Sequence, residues 1–427
     1  MSILSNVVVL IKLKYSIITS ISIDFMNNDV FEGGIFMRKV YLDNSATSFP
    51  KAPNVGESML NYINNIGCNI NRGAYYDALD AENTIFETRE LICDLFKFDK
   101  PENVIFTPSI TYSLNMTIKG LLKPGDNVIV SSMEHNAVMR PLASLKKLGV
   151  SISQIKCSNL GFLNPNDVEA SICPNTKAII MTQASNVCGS ILSLEKVGQL
   201  AKKHNIIFIV DCAQTAGFLD IDINKLNADI LCFTGHKCLL GPQGTGGFLI
   251  KDNIVPMINP LIEGGTGSLS EYEIQPNYMP DKFESGTLNL PGIFGLNTAL
   301  HYLNSIGTNT IKEKELYLTK KFIEGIKNMN SSFIIGSDLL ENRTSVVSLD
   351  FKDLDNSIVA HHLNKYYGIS TRSGLHCAPS AHKTLNTFPH GTVRFSFGHF
   401  NTVSDVNYTI DALNKVIKNN NLKERTY

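Results

Sequence analysis

An α/β fold is predicted, with a large domain built on a mainly parallel sheet flanked by helices and a smaller α+β domain at the C-terminal end. Three observations predict it. From about residue 100, short β-branched apolar runs alternate with helical stretches. Each run ends in a cluster of polar residues, as strands do when their carboxyl ends line a binding crevice. Past about residue 291 the alternation gives way to two helical stretches followed by mixed strand and helix patterns. A chain of 427 residues exceeds one small core and suits a large domain over 37–290 with a small one over 291–427.

The first 36 residues stand apart. SNVVVLIKLKYSIITSISIDF is apolar and β-branched, but Lys12 and Lys14 interrupt it before it reaches membrane-spanning length. No basic stretch precedes it and no small-residue cleavage site follows, so neither a membrane span nor export is expected. Met37, just before RKVYLDNSATSFP, offers a second start. Residues 1–36 are therefore an N-terminal extension outside the fold, and residues 37–60 are expected to pack with the C-terminal part.

Next come VIFTPS and the helical YSLNMTIKGLL, then NVIVSS and the helical HNAVMRPLASLKKLG. VSISQIKC, KAIIMTQASN, IIFIVDCAQ and ILCFTGHK read as further strands. Beyond residue 291, SVVSLDF, a helix near 356–366, TVRFSFG and a helical run from Val403 complete the small domain.

The formal net charge is −1 with 18% charged residues, so neither a basic stripe for nucleic acid nor an acidic tail is present. A small-molecule site is the default. The nine cysteines form no CxxC pair and no regular framework, which reads as reduced thiols in a cytoplasmic protein.

FTGHKCLLGPQGTGG, residues 233–247, places Lys237 at a strand end before a glycine-rich turn. A single lysine there is ordinarily a solvated loop residue, and the turn lacks the GK[ST] ending of a triphosphate-binding loop. Its companions change the reading. Pyridoxal phosphate needs an amine for a Schiff base, a carboxylate facing the pyridine nitrogen, a phosphate cup and something to hold the ring. Asp211 ends the apolar strand IIFIVD, where a carboxylate is costly without a cationic partner or donors. An N-cap role is the structural alternative. Gln214 can donate to a ring hydroxyl and His135 can stack on the ring. Ser109 and Thr111, with the amides of a helix start, can hold a phosphate, although an ordinary helix cap uses the same residue types. Thr234 and His236 flank Gly235 and can complete the cup.

DNSAT (43–47), EHNAV (134–138), ASNVCG (184–189), DCAQ (211–214), TGHK (234–237), FESGT (283–287) and TRSGLHCAP (371–379) occur in the order found in class V aminotransferase-fold enzymes. Over residues 39–417 the chain resembles a cysteine desulfurase of that family, nearer its SUF-type group. The resemblance implies the type I fold of PLP-dependent transferases, a homodimer, L-cysteine as substrate, and a sulfur-acceptor protein or small thiol as partner, with iron–sulfur cluster assembly among the destinations. It implies Lys237 as Schiff-base lysine, Asp211 as pyridinium partner, Gln214 as ring-hydroxyl partner and His135 as stacking residue. Thr111, Thr234 and His236 fall at the phosphate, with Thr287 reaching it from the other subunit. Asn186 and Arg394 fall at the substrate carboxylate, which a guanidinium grips through two parallel hydrogen bonds; Arg372, also expected at the substrate, can lower the pKa of the nearby Cys377. Cys377 is implied as the thiolate that takes the sulfur. A buried core cysteine is its structural alternative, and a metal site of Cys377 with His376 and His382 lacks a closed tetrahedral spacing, so no metal is expected.

Two departures stand out: Ile110 occupies a position where the family favours a small or hydroxylated residue, and Leu375 one where SUF-type enzymes often have histidine. Preference between cysteine and selenocysteine stays open. So does a second reading, another class V enzyme: an aminotransferase or C–S lyase in which Cys377 is a bystander, or a selenocysteine lyase. A PLP-binding regulatory protein is the third, opposed by the presence of base, carboxylate and substrate clamp together.

Overall fold

The computed structural model describes residues 29–32, 35–70, 73, 75–327, 329, 332–351 and 354–418. Of the expected extension, residues 1–28, 33 and 34 lie outside that range. The remainder forms an antiparallel hairpin of β1 (Asp29–Glu32) and β2 (Ile35–Arg38), followed by the two-residue strand β3 (Val40–Tyr41).

The large sheet uses β4 (Val104–Thr107), β5 (Asn127–Ser131), β6 (Ser151–Ile155), β7 (Thr176–Thr182), β8 (Ile207–Asp211), β9 (Ile230–Thr234) and β10 (Gly246–Ile250). Their spatial order is β4-β10-β9-β8-β7-β5-β6. Only β10 runs antiparallel to its neighbours. Ile129, Ile179, Phe208 and Leu231 face one apolar cluster, while Val128, Ile180, Ile209 and Ile230 face the other. Both faces of the sheet are thus covered, which is why these strands read as continuous apolar runs instead of alternating ones.

The six strands expected between residues 104 and 237 are all present. β10 was expected as a glycine-rich turn, and the turn in fact runs straight into a strand. Gly246 and Gly247 sit in that strand because the backbone is crowded: a Cβ at Gly247 would strike the Ile105 carbonyl oxygen, and one at Gly246 would lie 3.0 Å from the Ile110 amide.

After the helices Leu290–Ile306 and Thr308–Ile326 come β11 (Ser332–Ile335) and β12 (Val346–Phe351), then the helix Asn356–Tyr367. β13 (Ile369–Ser370), β14 (Arg372–Gly374), a helix over Pro379–Thr384, β15 (Thr392–Ser396) and the helix Val403–Lys418 follow. β11-β12-β15-β14 form a four-stranded antiparallel sheet. β3 pairs in parallel with β13, and Val40 and Leu42 join the apolar cluster of Leu349, Val393 and Phe395. Among the described residues no helix is long and apolar enough to cross a membrane.

Candidate active site

Because β4, β5, β7, β8 and β9 point the same way, their carboxyl ends share one edge of the sheet. There they deliver Ser109, Thr111, His135, Asn186, Asp211, Gln214, His236 and Lys237 to the wall of a single cavity of about 200 Å³. The antiparallel sheet closes it with Arg372 from β14 and Arg394 from β15.

Lys237 follows β9 by three residues and is half-buried. Burial pushes its pKa down to about 8; Arg394 and Arg372 add to the fall, while the Asp211 charge opposes it. Asp211, at the end of β8, is buried, and desolvation raises its pKa against the opposing effects of a bond from Ala213 N and the Lys237 charge. Its Oδ1 accepts that bond at 2.8 Å, and no donor among the described residues reaches the other oxygen. No helix follows, so the N-cap alternative does not hold.

His135 caps the helix Asn136–Lys146, its Nδ1 accepting from Ala137 N at 3.0 Å. Burial, then the Lys237 charge, push its pKa down to about 4, so the ring stands at the cavity as a neutral imidazole. Gln214 is held by Ser45, whose hydroxyl donates to Oε1 at 3.1 Å and whose carbonyl accepts from Nε2 at 3.2 Å.

Ser109 occupies the N-cap position of the helix Ile110–Leu121 without using its hydroxyl as a cap, and the Ile110 and Thr111 amides have no backbone partner among the described residues. Such a helix start favours an anion. Beside it, His236 has a pKa pushed down to about 4 by burial, and its Nδ1 is buried with no partner among the described residues. The His236 carbonyl is clamped by Ser48 N at 2.9 Å, Thr47 Oγ1 at 3.0 Å and Lys51 Nζ at 2.9 Å.

Arg394 is 1% exposed. One arm meets Asp43 Oδ1 at 2.6 Å, the other donates to the Asn186 carbonyl at 3.1 Å, and Nε has no partner among the described residues. The Asn186 side chain in turn donates to the His376 carbonyl at 2.7 Å. That carbonyl belongs to the loop carrying Cys377. His376 and Cys377 adopt successive left-handed conformations, with φ of 47° and 57°. Asn136 N binds the Cys377 carbonyl at 2.7 Å, and Arg372 Nη2 approaches Cys377 Sγ at 3.7 Å. Cys377 is exposed whereas the other eight cysteines are buried or half-buried, which removes the core-residue alternative.

Two expected residues are not brought to this wall. The Thr234 hydroxyl turns back to the Thr245 carbonyl at 3.4 Å. Thr287 is exposed and borders a separate cavity of about 370 Å³ beside Arg89 and Glu284. His376 and His382 bond Thr392 and Thr387, and no group of three metal-ligating residues occurs among the described residues.

Sequence reasoning missed Asp43, Ser45 and Glu134. The first two lie in DNSAT, quoted for its resemblance without roles for these residues. Glu134 is a buried carboxyl with a pKa pushed up to about 8 by desolvation; it accepts from Ser131 Oγ at 2.5 Å and Thr182 N at 3.0 Å, tying β5 to β7.

A half-buried amine of lowered pKa, a buried carboxylate with one free oxygen, a neutral imidazole wall and an anion-binding helix start beside an orphaned His236 nitrogen together fit pyridoxal phosphate. The family model for class V aminotransferases matches residues 40–409. A protein of Borreliella burgdorferi named "Probable cysteine desulfurase" is 32% identical over 393 residues, covering 89% of this chain and 92% of that protein. One of the same name from Pyrococcus abyssi is 32% identical over 386 residues, covering 89% and 94%. The solved apo structure of a cysteine desulfurase from Thermococcus onnurineus superposes with a TM-score of 0.83 at 32% identity, over 89% of this chain and 95% of that one. This chain, matched along nearly its whole described length, belongs to the class V aminotransferase family.

Proposed function

We propose that this chain is a PLP-dependent cysteine desulfurase, converting L-cysteine to L-alanine and leaving the sulfur as a persulfide on Cys377 for an acceptor. The observation that carries the reading is the placement of Cys377: an exposed thiol beside Arg372, in a loop pinned to the two elements that bear His135 and Asn186. An aminotransferase or C–S lyase has no use for that arrangement.

Lys237 would anchor the cofactor, Asp211 would face its ring nitrogen, Gln214 its hydroxyl and His135 its face, with Ser109, Thr111 and His236 around the phosphate. When bound, the cofactor supplies an electron sink conjugated to the amino acid. Arg394 and Asn186 hold the substrate carboxylate. Once free, the neutral Lys237 amine takes the Cα proton and later returns a proton to the carbon fragment. Asp211 keeps a proton on the nitrogen that faces it. The Cys377 thiolate attacks the substrate sulfur: an S–S bond forms, the C–S bond breaks, and the carbon fragment leaves as alanine after protonation.

A homodimer is part of the proposal. Thr287 does not line the cavity that holds its own phosphate residues; it lies on a stretch that exposes Leu261, Ile262, Tyr272 and Ile274, and a second copy would bring it to the neighbouring site. We place the enzyme in the cytoplasm, feeding sulfur to acceptors such as those of iron–sulfur cluster assembly. The decisive experiment incubates the protein with L-cysteine and a reductant and measures alanine and sulfide in parallel. Equal amounts are expected; sulfide with pyruvate, or a keto acid without sulfide, would overturn the reading.

A further inference from the structure

Adjoining the cavity of Lys237, with which it shares Thr111, His135 and Ala137, a groove of about 330 Å³ runs between the helices Ile110–Leu121 and Asn136–Lys146. One wall is the stripe Thr111, Asn115, Lys119; the other is Asn136, Arg140, Ser144. Both stripes have spacing i, i+4, i+8, so each follows one helix face over roughly 12 Å. Cys377 stands at the head of the groove, where its carbonyl is bonded to Asn136 N. Lys119 and Arg140 are exposed, no acidic side chain lines the groove, and neither cation has an ion-pair partner among the described residues. Arg372, also without a carboxylate partner, adds a third positive charge beside the thiol.

We infer that this groove is the sulfur-acceptor subsite and that it takes a small thiol carrying carboxylate groups. The inference rests on the desulfurase reading above. The size is right for a small molecule, near the lower end of the roughly 300–1,000 Å³ that ligand pockets span. The charge selects the class: a carboxylate one or two helical turns from a reacting sulfur meets Lys119 or Arg140, while a cationic thiol meets only repulsion. In the transfer step the acceptor thiolate attacks the outer sulfur of the Cys377 persulfide. A new S–S bond forms to the acceptor, the bond to Cys377 Sγ breaks, and Cys377 leaves as a thiolate. The acceptor departs as a persulfide that retains the outer sulfur's proton, with no net oxidation or reduction.

The test isolates this step. The PLP-loaded protein is exposed once to L-cysteine, freed of substrate, and mixed with 3-mercaptopropionate, 2-mercaptoethanol or cysteamine at equal thiolate concentration. Loss of the extra sulfur from the Cys377 peptide is then followed by mass spectrometry. The anionic thiol is expected to react fastest and the cationic one slowest, with a spread of roughly five- to tenfold, the scale that two exposed cations contribute. Raising the salt should compress the spread. In the double variant Lys119→Glu, Arg140→Glu, loading of Cys377 should be unchanged and the order of the thiols reversed. Equal rates for the three thiols on loaded wild-type protein at low salt would overturn the inference, as would an order that the double variant retains. Failure of wild-type Cys377 to load at all would instead bring down the desulfurase reading, and the groove assignment with it. Should the double variant alone fail to load, the wild-type thiol series and its salt dependence still decide.

Discussion

Lys237 combines partial burial with a pKa pushed down from 10.5 to about 8, and its neutral form is the nucleophile that captures an aldehyde. Protonated amine predominates below that pH, and the neutral fraction climbs as pH rises through it. The rate of pyridoxal phosphate uptake by cofactor-free protein should therefore rise about tenfold per pH unit below about pH 8 and level off above it. A flat stopped-flow profile would point to another anchor. Lys237→Ala should lose the visible cofactor band and all turnover, and a borohydride-reducible adduct surviving in that variant would assign the role elsewhere. Cys377→Ala should keep the band and lose both alanine formation and persulfide. Burial raises the thiol pKa of Cys212 and Cys238, which keeps them protonated and unreactive. Peptide mapping after one exposure to cysteine should accordingly find the extra sulfur on Cys377 and on neither of those.

The loop from Arg372 to Ala378 is held in a conformation that its own residues disfavour. Two consecutive left-handed non-glycine residues cost roughly 1–3 kcal/mol each, and the Asn136 amide, the Asn186 side chain and the His376–Thr392 bond oppose that cost. Asn186→Ala removes the donor to a buried carbonyl, a loss of about 1–3 kcal/mol felt mainly in the loop. The variant should bind the cofactor with an unaltered spectrum, alkylate faster at Cys377 and form persulfide more slowly; unchanged alkylation would deny the link. Arg394→Ala should likewise spare the spectrum and raise KM, with Asp43 left unpaired. Much of this site could be read from sequence because buried parallel strands must be apolar and must end where polar residues meet, as IFIVD and ILCFT do. The rest lay in pairs without a local signal. Asp43 and Arg394 are 351 residues apart and Ser45 and Gln214 are 169 apart, so neither contact leaves a pattern in any short window. β10 was hidden because the close backbone approach that demands Gly246 and Gly247 also makes a strand look like a turn.

At the scale of the whole molecule, the separation of Thr287 from the cavity predicts that activity belongs to a pair of chains. Ultracentrifugation should find a particle of twice 47.1 kDa. Thr287→Val should weaken cofactor binding, and mixing that variant with Lys237→Ala should restore one intact site per pair; no recovery on subunit exchange would place Thr287 outside the site. The pairing of β3 with β13 carries a different consequence, one of timing. Val40 and Tyr41 find their strand partners only at Ile369 and Ser370. At roughly 5–20 residues per second, the ribosome releases the first of these strands on the order of a quarter of a minute to a minute before the second. During that interval the large sheet can assemble, while Val40 and Leu42 wait without their apolar neighbours. A nascent chain truncated before residue 369 should keep this segment open to proteases and chaperones, and only completion of synthesis draws the beginning of the protein into its end.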